Sequence, residues 1–360
     1  MKRALLSLVL VCLPAFAAGK RVTFIITGDN GGEVAPCGCK SNPTGGFARR
    51  KTVLDGLKGE NLLVLDAGNA LYRNAGNASE ADGPRAQLVF DMMKRLGTRA
   101  MVVGQRDLSA GVDSLQKLAV GSDVKLLSAN LTRDGKPLFD AGVVLDVGGV
   151  KVGIVGVSAP GPIAPDANVS SSAPLPAAKA ALAKLGKRDV TVVLAATTYA
   201  DGMLLARELK GLTDVVIQSG EFRGTVPPQR VDAGSPILLG SGQRGQAMGK
   251  AEITLGNGKG ELIDLTITAR EREQLAFVDG QVKTLEERMA RATDKRAKAD
   301  FNGMLSDLKK RQAELRAAIA KTTPPGARTI DFHWLVLGQD IADDAAWKSE
   351  VLKIEPTYAH

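Results

Sequence analysis

From residue 22 to about residue 217, short β-rich runs alternate with amphipathic helical stretches. The runs at 22–27, 62–66, 100–103, 125–130, 151–157, 191–195 and 215–217 predict strands, and the stretches 86–96 and 202–209 predict helices between them. That alternation implies a layered α/β domain whose functional loops lie at the strand C-termini. Residues 236–239, 249–255 and 261–269 then predict consecutive strands with glycine turns, GNGKG supplying one, that close a second sheet against the first. The stretch 158–176, rich in Pro, Ser and Ala, reads as a surface excursion.

At Arg270 the pattern changes. Leu275, Val278, Val282, Leu285 and Met289 fall at three-and-four spacing, as do Phe301, Met304, Leu308, Leu315 and Ile319, with Lys, Arg and Glu on the other faces. Two antiparallel helices over 271–322, joined near Asp294, fit this spacing as a projecting hairpin. Such a hairpin either packs on its own domain or serves as a docking arm for a partner. Pro324, Pro325 and Gly326 end it, and 331–337 predicts a strand returning to the body, anchored by Trp334.

Composition changes the picture in three places. The 360 residues suit one large α/β core plus an appendage, and 4% aromatic content argues against a stacking platform for bases or sugars. The start of the chain has Lys2 and Arg3, an apolar run over 4–13 and small residues at Ala15, Ala17 and Ala18, which is the pattern of a signal peptide over 1–17. Cys12 follows Val11, where a lipid-modified cysteine needs a small neighbour, and no later run is apolar for long enough to cross a bilayer. The expected division is thus a leader at 1–17, an α/β domain at 18–270, the hairpin at 271–322 and a terminal segment at 323–360. Export to the periplasm removes Cys12 and leaves Cys37 and Cys39 in an oxidising compartment. The formal charge of +8 falls to about +6 without Lys2 and Arg3, so anionic partners are favoured. Nucleic acid is not, because no basic motif is interleaved with aromatics.

The candidate chemistry sits at the strand ends. The blocks ITGDNGG, GGFARRKTVL, LLVLDAGNAL, VVGQRDLSAG, LLSANL, VKVGIVGVS, VVLAATTYADG, LTDVVIQSGEF and PILLGSGQRGQAMGK follow one another from residue 22 to residue 269. In that order they resemble the calcineurin-like metallophosphoesterase domain of the secreted 5′-nucleotidases. The resemblance implies a four-layer β-sandwich flanked by helices, and a dinuclear metal site that activates a bridging water to attack phosphorus. The carry-over of ligands is incomplete. Asp29 and Asp107 match family acids, but family histidines fall at Gly31, Arg106, Ala196, Gly220 and Phe222, the bridging aspartate at Asn69 and the family asparagine at Gln105. The chain has only two histidines, His333 and His360, and neither belongs to a strand-end loop of the core. Imidazole ligands for two metals are therefore absent. One hard divalent ion, Ca²⁺ or Mg²⁺, held through oxygen by Asp29, Asp66, Asn69 or Asp107, stays open beside plain strand-end capping by the acids.

The loop PCGCKSNPTGG has no counterpart in the catalytic 5′-nucleotidases. It resembles a bacterial branch of the superfamily with Pro-Cys-Gly-Cys followed by Gly-Gly and a double Arg, matched here by Gly45, Gly46, Phe47, Ala48, Arg49 and Arg50. Some members of that branch continue into multihaem cytochrome modules. This chain has no Cys-x-x-Cys-His, which rules out covalent haem by the usual thioether route. For Cys37 and Cys39 a structural disulfide, a strained redox pair and a soft-metal site for Zn²⁺ or Cu(I) are all open. Arg49 and Arg50 would lower the thiol pKa if the loop folds back on them; otherwise such a pair at a helix start is a solvated face or, with Arg106, an anion clamp.

These observations lead to an expected function. It is an exported, degenerate metallophosphoesterase-like protein acting as a non-catalytic binding or redox-accessory module, with a cytochrome-type or other periplasmic partner at the hairpin. The alternatives are a phosphomonoesterase or 5′-nucleotidase rebuilt around Asp29, Asp66, Asn69 and Asp107, and a thiol redox or soft-metal protein centred on Cys37 and Cys39.

Overall fold

The computed structural model describes residues 20–38, 42–59, 61–76, 78–221, 224–258 and 260–359. The expected leader at 1–17, together with Cys39, Phe222 and His360, lies outside the described residues. Among those described, no helix is long and apolar enough to cross a membrane.

Two sheets stack face to face. The first runs, in spatial order, Ile263–Asp264, Thr329–Val336, Ala247–Thr254, Arg21–Thr27, Leu62–Asp66, Thr98–Val102 and Lys125–Leu127. The second runs Gln229–Arg230, Ile237–Gly240, Val215–Ser219, Val190–Ala196, Val150–Ser158 and Gly142–Val147. Alternation along each strand builds the layers. In Val190–Ala196, Val190, Val192 and Leu194 point into the core between the sheets, where they meet Phe24, Ile26, Leu63 and Leu65. Val193 and Ala195 point the other way, against Leu182, Leu205 and Leu209 of the covering helices. Phe90, Met92 and Met93 of the helix Gly83–Arg95 cover the first sheet in the same way. Full burial of each Leu, Ile or Val side chain contributes about 1.5–3 kcal/mol, so this double-sided core fixes the register of every central strand.

Three expectations change. The segments 236–239 and 249–255 do form strands, but in different sheets. Ile237–Gly240 lies parallel to Val215–Ser219, and Ala247–Thr254 crosses over to pair antiparallel with Arg21–Thr27. The stretch 261–269 is not a strand. After the two-residue Ile263–Asp264 the Asp264 carboxylate accepts the Thr266 N–H, and the backbone coils into the 3-10 turn Leu265–Thr268. The excursion 158–176 carries the short strands Gly161–Pro162 and Val169–Ser171 of a small four-stranded sheet, and its Ile163 and Val169 are buried.

The helices Ala269–Arg291 and Lys295–Thr322 pair lengthwise, with Lys309 bound to Glu286 at 2.9 Å and Arg316 to Asp279 at 3.4 Å. Their seam holds Val278, Val282, Leu285, Leu305 and Leu315. Met304 was expected in that seam, but Leu305 occupies it and Met304 is 57% exposed. Asp294 caps the second helix, its carboxylate accepting the Ala297 N–H at 2.8 Å. Asp294→Ala is expected to weaken that helix start by about 1 kcal/mol, seen as faster amide exchange at 295–298 with no change in the core. The strand Thr329–Val336 then pairs along the full length of Ala247–Thr254. Its Trp334 donates from Nε1 to the Val226 carbonyl at 2.8 Å and meets the Phe332 ring edge-on at 5.1 Å.

Candidate functional site

The parallel strands deliver their C-terminal loops to one edge of the molecule. Loops 28–32 and 68–70 run side by side, Asp29 N–H donating to the Gly68 carbonyl at 2.8 Å and Gly31 N–H to Asn69 at 3.1 Å. Arg244 N–H in turn donates to the Asp29 carbonyl at 2.7 Å. Asp29, Asn69 and Arg244 have φ of 53°, 58° and 49°, and they are three of the four non-glycine residues with positive φ among the described residues. Left-handed backbone at non-glycine residues persists where the surroundings impose it, and it collects at working sites. Gly68 is obligatory here, since a Cβ would meet the Val102 carbonyl oxygen at 2.4 Å.

The acids divide into two kinds. Asp107 is buried and accepts the N–H groups of Asn69 (2.7 Å), Ala70 (2.7 Å), Leu71 (3.0 Å) and Gly104 (2.8 Å). Burial holds its carboxyl above the usual range even though the four amides favour the charged form. Asp66, with no exposed surface, accepts the Thr27 hydroxyl at 2.6 Å and the Gly68 N–H at 2.8 Å. Burial pushes it up to about 6 against those two hydrogen bonds and the field of Arg50. Both carboxylates therefore bind the loops together from beneath. Asp29 alone of the three lines the cleft, in an ion pair with the Arg106 guanidinium.

Asn69 sits between the two sheets. Its Nδ2 donates to Ser219 Oγ at 3.2 Å and its Oδ1 accepts the Arg106 N–H at 3.2 Å. Two adjoining hollows of about 490 and 450 Å³ share Arg106, Gly220 and Glu221. Arg73 lines the first and Arg244 the second. Glu33 holds both guanidinium groups, at 3.0 Å and 2.7 Å, while 72% of the Arg73 side chain and 49% of the Arg244 side chain stay exposed. Glu221 accepts the Tyr199 N–H at 2.8 Å at the start of the helix Tyr199–Glu208. The site is thus a cleft with three arginines, each steadied by a carboxylate or a carbonyl.

Arg49 and Arg50 lie elsewhere. Arg49 Nη1 donates to the Pro43 and Leu337 carbonyls at 2.8 and 3.2 Å, beside Asp343 at 3.5 Å. Arg50 donates to Asn30 Oδ1 at 3.0 Å with its guanidinium carbon 4.4 Å from the Phe47 ring centre, and burial pulls it down to about 10. Both are structural cations in the first turn of the helix Phe47–Gly56, and neither lines the cleft. Among the described residues the half-buried Cys37 thiol has no disulfide partner, and its Sγ lies 3.7 Å from the Arg244 carbonyl. Burial and Glu33 push that thiol up, opposed by Arg244 and Arg73, so the expected lowering by Arg49 and Arg50 does not occur. Arg73, Arg244, Glu33 and Glu221 were missed in the sequence. One signal was available, an arginine between two near glycines in the strand-end block SGQRGQ.

No family model matches the chain. The 5′-nucleotidase of Vibrio vulnificus is 29% identical to it over 119 residues, which are 31% of this chain and 21% of that protein. The solved 5′-nucleotidase precursor of Thermus thermophilus superposes with a TM-score of 0.65 at 20% identity, covering 94% of this chain and 59% of that one. The chain has the fold of the calcineurin-like phosphoesterases and 5′-nucleotidases. A calcineurin-like phosphoesterase of Bacillus subtilis superposes as well, with a TM-score of 0.51 at 18% identity over 65% of this chain and 84% of that one. The matched stretch is therefore about a fifth of the Vibrio nucleotidase, and the chain spans little more than half of the Thermus one.

The donors at the 5′-nucleotidase-type strand ends do not fit a metal centre. Among the described residues no three His, Cys, Asp or Glu side chains converge. Asp66 and Asp107 spend their oxygens on the hydrogen bonds given above, Asn69 is neutral, and a guanidinium, which has no lone pair to donate, faces Asp29.

Proposed function

We propose that the protein is an exported, non-hydrolytic member of the phosphoesterase fold that binds a small anion-bearing ligand in the strand-end cleft without a metal. The observation that carries this reading is the Arg106–Asp29 ion pair: a fixed organic cation stands on the one cleft-lining acid of the mapped set. A guanidinium supplies directional donors to phosphate or carboxylate and cannot lower the pKa of a water, so it supports binding and not hydrolysis. Arg73 and Arg244 complete a cationic rim with exposed donors. Export rests on the leader pattern at 1–17, and a redox-accessory role on the Cys37-Gly38-Cys39 motif, whose Cys37 lies beside Arg244; both belong to this proposal.

The test is calorimetric titration of the purified protein with inorganic phosphate and with AMP, in EDTA. Binding is expected to survive chelation and to weaken about tenfold in Arg106→Gln, the loss of roughly one charge-assisted hydrogen bond. Hydrolysis of AMP that requires Mg²⁺ or Mn²⁺ and disappears in Asp29→Asn would overturn the reading in favour of a rebuilt phosphomonoesterase.

A further inference from the structure

Beside its seam the helical hairpin leaves an open groove. Between the two helices a groove of about 850 Å³ is floored by Gly280, Thr284, Leu285 and Leu308 and rimmed by Phe277 and Met304. Phe277 is 68% exposed and Met304 57% exposed, so two large apolar side chains stand in water on either side of a floor where Gly280 contributes no side chain at all. A Cβ built on Gly280 meets nothing within 4 Å. This is the shape that accepts the apolar stripe of one further helix.

Charge selects the occupant. Along the shaft three acids are engaged within the hairpin: Glu286 by Lys309, Asp279 by Arg316 and Glu314 by Arg311. At the tip Asp294 is consumed as a helix cap. Arg288, Arg291, Lys295, Arg296 and Lys298 have no ion-pair partner among the described residues, and the uncommitted acids beside them are Glu287 and Asp300. The groove itself is lined by Arg288 and Asp307. The tip therefore carries five cations beside the three acids Glu287, Asp294 and Asp300, a net positive surface next to the groove.

We propose that the hairpin groove docks an acidic amphipathic helix of a partner protein, its apolar stripe between Phe277 and Met304 and its carboxylates against Arg288 and the tip cations. The groove supplies specificity and the tip supplies attraction at a distance. This proposal is independent of what the strand-end cleft binds.

Gly280→Leu is the discriminating variant. It fills the groove floor, its Cβ has open space, and leucine in place of glycine strengthens the helix, so lost binding cannot be assigned to unfolding. Gly303→Leu, also in open space and outside the groove lining, is the matched control. The probe is a synthetic helix of about five turns with leucines at three-and-four spacing and glutamates elsewhere, against a scrambled peptide of equal composition. Fluorescence anisotropy with the full chain is expected to show the patterned peptide bound at least about tenfold more tightly than the scrambled one, weakened about tenfold by Gly280→Leu and unchanged by Gly303→Leu. Equal binding of both peptides, no binding, or no effect of Gly280→Leu overturns the proposal. So does preferential uptake onto phosphatidylglycerol vesicles, which makes the face a membrane contact. A concentration-dependent dimer abolished by Gly280→Leu also overturns it, because it assigns the groove to a second copy.

Discussion

Asp107→Ala is expected to lower the stability of the protein by about 4 kcal/mol, because it strips one carboxylate from four buried backbone donors at once. Each orphaned N–H is worth about 1–3 kcal/mol when no water can reach it, but loop relaxation lets the four losses overlap. The damage is also local and functional. The amides of Asn69, Ala70 and Leu71 belong to the loop that holds Asn69 at φ 58°, and Asn69 Oδ1 in turn accepts the Arg106 N–H. Asp107→Asn keeps one acceptor oxygen and turns an NH₂ toward the remaining amides, so about half of the loss is expected. Urea unfolding of the three proteins measures both values. An alanine variant within about 1 kcal/mol of the parent would show that these amides find water and that Asp107 does not hold the cleft together.

The same residue shows how much of the site could be read along the chain. The strands are legible because burial on both faces writes them as apolar runs: 62–66 is expected and Leu62–Asp66 observed, and 191–195 lies within Val190–Ala196. The hairpin is legible because its seam repeats. Its rotation is not, since Met304 and Leu305 are adjacent apolar residues and only the partner helix decides that Leu305 turns inward. At the site the acids are visible but their work is hidden. Asp107 aligns with a family metal ligand, yet three of its four partners are amides 36 to 38 positions upstream, brought to it by the crossing of two loops. Arg49 and Arg50 suggest an anion clamp by their charge. The fold instead turns them inward, onto carbonyls and the Phe47 ring, because the helix Phe47–Gly56 buries its first turn. Sheet membership is hidden for the same kind of reason. Ile237–Gly240 and Ala247–Thr254 are both apolar runs, and a loop between them carries the chain from one sheet to the other.

The buried acid beneath the cleft gives the second large effect. Asp66→Asn is expected to be more stable than the parent by about 2 kcal/mol at pH 8, with the gap closing as the pH falls through 6. The folded carboxyl is pushed up to about 6 from an ordinary value of 3.8, with burial as the main cause. Below about pH 4 the group is protonated in both states and the parent has no penalty. Between 4 and 6 the unfolded chain ionises while the folded one keeps its proton, so stability falls as pH rises. Above 6 the full cost is present, at most about 3 kcal/mol for a shift of this size. The attraction of Arg50 is already contained in that value, since Arg50 is among the groups that lower it. Asparagine keeps Oδ1 for the Gly68 N–H, and its Nδ2 can donate to Thr27 Oγ1 while the hydroxyl turns to the Leu65 carbonyl, 3.4 Å away. Denaturant titrations of both proteins from pH 4.5 to 8 measure the gap directly. A gap that stays constant with pH, or a less stable variant at pH 8, would mean that Asp66 is ionised at little cost in the fold and that Thr27, Gly68 and Arg50 outweigh its burial.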